Sequence, residues 1–324
     1  LENLEKNSIS LEIQEKIQRA KERVQELTKG NIHLINEAVK KDLEIEYKKE
    51  LHTHIIVDNG SDQSYVNRVK SQFKDSVILQ RETNGGLTVA YNQGIRYALA
   101  IPTIDAIMLI GNDIRLPSGE LTKLYDSLFT NPELGMIAPA IIRKDSSDIE
   151  SVGCFINRKM YLKEYHVGQN INDMDNRIFY CTTVAGGMNL STRQFYEQVG
   201  LQDETLFMYS DEVDMGLRAQ RHGYKIAVST ACRAWHQHIN PSNKTIRKPY
   251  TAFLISRNKV YLARKHFGFS RSLYVFVYQS FKATKDFASS IKNKSMFSYA
   301  LYFAYGNLCG LLGIKKNFKF IINN

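Results

Sequence analysis

Cysteine is scarce in this 324-residue chain: Cys154, Cys181, Cys232 and Cys309 lie far apart. They form no CxxC pair of the kind that holds zinc, and no dense framework of the kind that staples a small secreted domain. Reduced thiols are expected, and with them a reducing compartment. Nowhere does the sequence reach the ~18 consecutive apolar residues of a spanning helix, and the opening LENLEKNSISLEIQEKIQ holds no apolar run of signal-peptide type. The expectation is a cytoplasmic protein, at most peripheral on the inner face of the cell membrane. Internal repeats and low-complexity tracts are missing too, which excludes a repeat architecture. Nucleic-acid recognition motifs are absent, and the aromatics cluster in apolar tail segments instead of alternating with Arg and Gly, so no nucleic-acid partner is expected.

What is present is a globular composition, 43% hydrophobic, with 43 Lys+Arg against 33 Asp+Glu. That is enough to bury a substantial core, and the excess of ten positive charges points to an anionic partner such as a nucleotide or an acidic lipid surface. Residues 1–30 form an N-terminal helical segment: Ile13, Ile17, Ala20, Val24 and Leu27 recur at spacings of four and three, one apolar stripe. From His52 the texture changes. HTHIIVDNGSD, SVILQRETNGG and IDAIMLIGNDIRLP are short β-rich runs ending in turn residues, spaced by roughly 25 residues, with the helix-like SYVNRVKSQF and GLTVAYNQGIRYALA between them. The β-α-β-α-β order predicts an α/β fold, a mixed, mostly parallel sheet flanked by helices. The polar strand tails DNGSD, TNGG and GND then gather at the carboxyl edge of the sheet, where ligands bind in such folds. A less regular section, residues 135–240, is expected to continue the same sheet. The region from 268 to 324 is a basic, aromatic, helical tail.

Each tail carries residue types suited to a charged ligand. Asp58, with Asn59 and Asp62 near it, offers an acceptor-only carboxylate for a base N–H or ribose hydroxyls. Arg81, Asn84, Gly85 and Asn92 lie around the start of a helix, where glycines allow close backbone approach and the helix N-terminus favours anions. Asn112 and Asp113 end an apolar strand. Downstream, FMYSDEVDMGLR holds Asp211 and Glu212, then Asp214 and Arg218 at the i,i+4 spacing of a surface ion pair. TACRAWHQHIN places His236, with His238 as the spare, near a strand end.

In order and spacing these clusters resemble the family 2 glycosyltransferases of the GT-A fold, in particular the bacterial rhamnosyltransferase-like branch; the resemblance covers about residues 51–267 within a domain of residues 31–267. RETNGGLTVAYNQGI is similar to the family's ENxGxAxxxNxGI signature, and PYTAFLISRNKVYLARKHFG to its Arg-Asn helix, with Arg257 and Asn258 matching. The resemblance implies an inverting sugar transfer from a UDP-, dTDP- or GDP-sugar to a saccharide or lipid-linked saccharide, in bacterial surface polysaccharide synthesis. It implies that Asp58 meets the base, that Asp113 with His236 binds Mn²⁺ or Mg²⁺ across the donor phosphates, and that Asp211 or Glu212 is the general base.

Two departures stand out. Gly111 occupies the first position of the family's Asp-x-Asp or Asn-x-Asp motif, and the only first-strand candidate, NIHLIN, is short and weakly apolar. A nucleotidyltransferase is the alternative enzyme, but its glycine-rich basic phosphate loop is missing. A non-catalytic glycan- or partner-binding subunit is the alternative of another class. The tail suits either an amphipathic helix on an anionic membrane or packing against the catalytic domain or a partner subunit. A homo-oligomer is left open.

Overall fold

The computed structural model describes residues 31–34, 52–185, 187–236, 249–290 and 294–315, of which 31–34, 52, 285–290 and 294–296 are described by backbone alone. The expected N-terminal helix and His238 lie outside the described residues.

The chain begins with β1 (Asn31–Leu34), β2 (His52–Asp58), α1 (Gln63–Gln72), β3 (Val77–Gln80), α2 (Leu87–Leu99) and β4 (Ala106–Ile110). Next come the short β5 (Ile114–Arg115), α3 (Glu120–Phe129), β6 (Leu134–Arg143), β7 (Ile149–Ser151), β8 (Cys154–Ile156) and β9 (Leu162–Glu164). Then follow β10 (Ile178–Cys181), β11 (Met188–Thr192), α4 (Arg193–Val199), α5 (Asp211–Arg221) and β12 (Lys225–His236). Three long helices close the chain: α6 (Pro249–Phe267), α7 (Phe269–Ser290) and α8 (Lys294–Leu312).

One mixed sheet runs β10-β12-β6-β11-β4-β1-β2-β3, with β5 on β12 and β7 on β6, and β8 and β9 form a separate hairpin. The N-terminal half, β3, β2, β1 and β4, is wholly parallel, as the alternating β and α segments require. NIHLIN supplies a true strand despite its weak apolar character. β1 lies between β2 and β4 and pairs in parallel with both, so its backbone groups are bonded on two sides. β11 runs antiparallel to both β4 and β6, which joins the later section to the first sheet.

β4 is buried along its whole length, the continuous apolar run expected of a strand covered on both faces. Its residues alternate between two cores: Ile107 and Leu109 pack with Ile55, Ile95 and Phe195 on one side, Met108 and Ile110 with Leu124, Leu128 and Ile137 on the other. At the far side of the sheet, β12 loses register with β6 between Ser229 and Arg233, opposite Pro139. Proline cannot donate to the ladder, so the pairing bulges there. Beyond the bulge β12 resumes alongside β6 and also pairs with β5, setting His236 opposite Ile114, one residue from Asp113.

The three C-terminal helices pack on one another, with α8 lying closely along α6. A Cβ on Gly306 would stand 2.3 Å from the Phe253 carbonyl oxygen, and one on Gly310 2.6 Å from that of Arg257. Glycine at both places allows this close approach.

Candidate functional site

Where β2 ends, Asp58 is buried and its Oδ2 accepts from the backbone N–H groups of Gly60 and Ser61, at 3.3 and 3.2 Å. Asn59 ties this turn to the next: its Nδ2 donates to Asn84 Oδ1 and Gly86 O, and its Oδ1 accepts from Gly85 N at 3.1 Å. Asp62 has a local task. It caps α1, accepting from Tyr65 N and from the Ser64 hydroxyl. The Asn84–Gly86 turn approaches protein backbone where the sequence suggested a ligand. Gly86 has φ 91°, a Cβ there would meet the Phe207 carbonyl oxygen at 2.5 Å, and Thr88 N donates to that same oxygen at 3.2 Å. One of the first-turn N–H groups of α2 is therefore already taken. Arg81 lies alongside, reaching Gln93 Oε1 at 3.3 Å.

Asn92 is likewise used internally. Its Nδ2 donates to Gln202 O and Glu204 Oε1, both at 2.9 Å, and its Oδ1 accepts from Gln202 N. This stitches α2 to the segment leading into α5, so the family-like spacing from Asn84 to Asn92 joins the two sides of the cleft through protein contacts.

After β4, Asn112 and Asp113 are exposed. Gly111 leaves space that the Asp113 carboxylate occupies: a Cβ at 111 would stand 2.9 Å from Asp113 Oδ1. On the other side Asp113 Oδ2 is 3.2 Å from His236 Nε2, while Nδ1 of the same ring is 2.8 Å from Glu150 Oε1 on β7. Burial disfavours a charged His236, but the Asp113 and Glu150 carboxylates outweigh it and push the imidazole up to about 9. Glu150 was not legible in the sequence, since it lies 86 residues from His236 and carries no motif.

The acidic pair sits at the start of α5 behind an unusual loop. Phe207, Tyr209 and Ser210 all have φ near 65°, in the left-handed region that non-glycine residues rarely enter. Two side chains of α6 hold this loop. Asn258 Nδ2 lies 3.1, 2.9 and 2.8 Å from the carbonyl oxygens of Leu206, Met208 and Tyr209. Arg257 Nη2 donates to Thr205 O and Leu206 O, and the guanidinium also donates to Asn258 Oδ1, fixing the amide with its N–H groups toward the loop.

Asp211 is 1% exposed, and neither of its carboxyl oxygens has a hydrogen-bond donor. The neighbouring Glu212 carboxyl can bond it only through a shared proton. Burial above all, then the Glu212 charge, raises the Asp211 pKa well above the ordinary carboxylate range; burial raises Glu212 as well. Burial raises the phenol of Tyr91, on α2, and the charges of Asp211, Glu212 and Asp113 raise it further.

Asp214 and Arg218 do pair, at 2.9 Å, but not on the surface. Asp214 is fully buried and also bonds His266 and Lys265, at 2.8 and 2.7 Å. Asp203, capping the turn before the loop, takes hydrogen bonds from Tyr261 and Lys265, both at 2.7 Å; although burial opposes ionisation, these contacts hold its carboxyl well below the usual range. The C-terminal end of α6 thus grips α5 through ionic bonds, and its middle grips the preceding loop through Arg257 and Asn258.

Among the described residues no group of three or more His, Cys, Asp or Glu could hold a metal ion. Asp113 Oδ2 and His236 Nε2 could hold a divalent cation together once the imidazole gives up its Nε2 proton, with Glu150 orienting the ring from its other nitrogen. The rest of the coordination shell would come from water and from oxygens of a bound phosphate.

The fold has known counterparts. The chain shares the fold of GalNAc-T7, solved with UDP, GalNAc and Mn²⁺ (TM-score 0.51, 12% identity, 71% of this chain and 50% of that one). It also shares the fold of Staphylococcus aureus TarS residues 1–349 (TM-score 0.51, 11% identity, 87% and 80%). Both likenesses support the GT-A architecture. Among curated proteins it is 22% identical over 211 residues to a low-salt glycan biosynthesis hexosyltransferase of Haloferax volcanii, covering 63% of this chain and 65% of that protein. It is 23% identical to the dTDP-rhamnosyl transferase RfbF of Shigella flexneri (65% and 71% covered) and to an N-acetylglucosaminyl-diphospho-decaprenol L-rhamnosyltransferase of Mycobacterium tuberculosis (67% and 76%). The chain thus spans about two-thirds of the length of the first of these relatives. The model of glycosyltransferase-like family 2 matches residues 29–255, from the central strand β1 through the clamped acidic loop into α6, and the chain belongs to that family.

Proposed function

We propose that the chain transfers a sugar, with inversion, from a nucleotide-diphospho-sugar to a saccharide or lipid-linked saccharide in polysaccharide synthesis. The observation that supports this reading is the buried Asp211, without a hydrogen-bond donor, at the start of α5 behind the loop that Asn258 clamps. A single displacement needs two separated charges at opposite ends of the reacting line. One end manages the departing diphosphate, and the other accepts the proton of the attacking hydroxyl.

In this reading Asp211 is the base. The acceptor oxygen bonds to the anomeric carbon on the face opposite the diphosphate; the bond from that carbon to the phosphate oxygen breaks, its electron pair leaving with the nucleoside diphosphate; the hydroxyl proton passes to Asp211. Burial and the Glu212 charge make the ionised Asp211 more basic than an exposed carboxylate. Neither of its oxygens is held by a backbone or basic side-chain donor that would stabilise the charge and weaken the base. Asp58 and the Asn59–Asn84 turn line the donor side. Asp113 and His236 would hold a Mn²⁺ or Mg²⁺ ion, which when bound neutralises charge on the leaving diphosphate. The relatives named for rhamnosyl and hexosyl transfer support a sugar donor, and the decaprenol-linked substrate in the name of one of them supports a lipid-linked acceptor.

Thermal unfolding in the presence of UDP, dTDP or GDP, each with and without Mn²⁺, tests donor binding. A rise in Tm with one of them is expected, larger with the ion. No rise with any, in a folded sample, would sink the reading.

A further inference from the structure

The outer side of α7 carries a feature that sugar transfer does not use. Leu273, Val277 and Phe281 recur at every fourth residue, the spacing of one helix face, and all are exposed, Val277 to 57% and Phe281 to 76%. Packing of α7 is already satisfied on its inner side. There Ser272, Val275 and Gln279 are fully buried, with Ser272 donating to Val260 O and Gln279 donating to Ser256 O on α6 and Asn307 Oδ1 on α8. On α8, Leu301, Tyr305, Leu308 and Leu312 are exposed as well. Contiguous apolar exposure of this kind marks a contact surface; scattered single residues do not.

Beside the stripe stands a knot of cations. Lys282, directly after Phe281, and Lys259 on α6 place their ammonium groups 5.3 and 3.6 Å from the ring centre of Tyr161, in the β8–β9 turn. Lys159 of that turn lies 4.1 Å from the ring centre of Tyr278, and the two tyrosines meet edge to face at 5.8 Å. Three ammonium groups from three elements thus converge on one aromatic pair. From residue 270 to the end the sequence holds eight Lys or Arg against one acidic residue.

We infer that the outer face of α7 and α8 docks on an anionic lipid bilayer, the apolar stripe at the boundary of headgroups and acyl chains and the Lys159, Lys259 and Lys282 cluster on lipid phosphates. Among the described residues no helix is long and apolar enough to cross a membrane, and the docking is interfacial. This inference does not depend on the chemistry proposed for the cleft.

Co-sedimentation of the full chain with phosphatidylcholine vesicles, with and without phosphatidylglycerol, tests it. Binding is expected to the anionic vesicles and to weaken with added salt. Val277→Ser with Phe281→Ser should lower the affinity at least tenfold, since each loses a side chain buried in the bilayer, and Lys282→Gln roughly fivefold. Because these side chains are exposed, Tm should not change; should the double variant aggregate, Lys282→Gln and the salt dependence decide. Failure of the unaltered chain to bind anionic vesicles would overturn the inference, as would variants that bind like it. So would sedimentation velocity showing that the double variant converts a dimer to a monomer while vesicle binding persists, which would make the face a contact between copies.

Discussion

Replacing Asn258 with Ala removes one side-chain amide and leaves three carbonyl oxygens, those of Leu206, Met208 and Tyr209, without their shared donor. The amide has two N–H groups, so the loss amounts to about two net hydrogen bonds, roughly 1–3 kcal/mol. That falls on a loop holding Phe207, Tyr209 and Ser210 at positive φ, each costing on the order of 1–3 kcal/mol to keep there. A loop under such strain relaxes when its clamp goes, and Asp211, the next residue, moves with it. The population with Asp211 in place should fall by about 5- to 150-fold, the equivalent of 1–3 kcal/mol, and kcat with it. KM for the donor, bound on the other side of the cleft, should change little. Asn258→Asp is the sharper variant: it can keep the contact with Arg257 but presents an acceptor to three acceptors, and it should be no better than Ala. Steady-state release of nucleoside diphosphate, measured well below Tm, separates this from general destabilisation. If both variants lowered Tm yet kept kcat within a factor of two, the loop would not owe its geometry to Asn258 and the argument would be wrong.

Other outcomes follow from the same contacts. Asp211→Asn should reduce transfer by a factor of about 10²–10⁴ while donor binding, followed by thermal shift, persists; a larger loss in Glu212→Gln would move the base to that residue. Because the Glu212 charge raises Asp211, the acid limb of the pH–rate profile, along which activity appears as the base ionises, should shift to lower pH in Glu212→Gln; a shift to higher pH would contradict the coupling. Gly86→Ala adds a Cβ 2.5 Å from the Phe207 carbonyl oxygen at φ 91° and should cost at least about 1–3 kcal/mol in chemical denaturation; a neutral result would show that the α2 start and the acidic loop are not in contact. Asp203 and Asp214 both have lowered pKa values in the fold, opposed by burial but overcome by hydrogen bonds from Lys265 and Tyr261 to the first and from His266 and Lys265 to the second. Their stabilisation is therefore complete above the unfolded carboxylate pKa near 3.9 and is lost as pH falls through the lower folded values. Lys265→Met, which removes the cation common to both, should raise the pH midpoint of acid unfolding; an unchanged midpoint by circular dichroism would refute that role.

Much of the architecture could be read from local pattern alone. Alternating β-rich and helix-like segments are local signals, and they delivered the parallel half of the sheet, α1 and α2, with ends within a residue or two. Residue chemistry at the strand ends also placed Asp58, Asp113 and His236 at one edge of the sheet. NIHLIN was faint because its pairing with β2 and β4 is invisible until those partners are known. Likewise Asn92 read as a ligand contact, since an Asn at that spacing says nothing of whether its amide meets a phosphate or the backbone of Gln202.

The α/β class, the order of the clusters and the acids available for chemistry are legible in the residues alone, because each rests on short-range pattern or residue type; the fold family came from resemblance. Which of them stand together depends on long-range packing. Glu150 meets His236 across 86 residues of chain, and Asn258 clamps a loop about 50 residues before it. Asp211 became the stronger candidate base for a reason no motif encodes: burial without a donor is a property of everything packed around it.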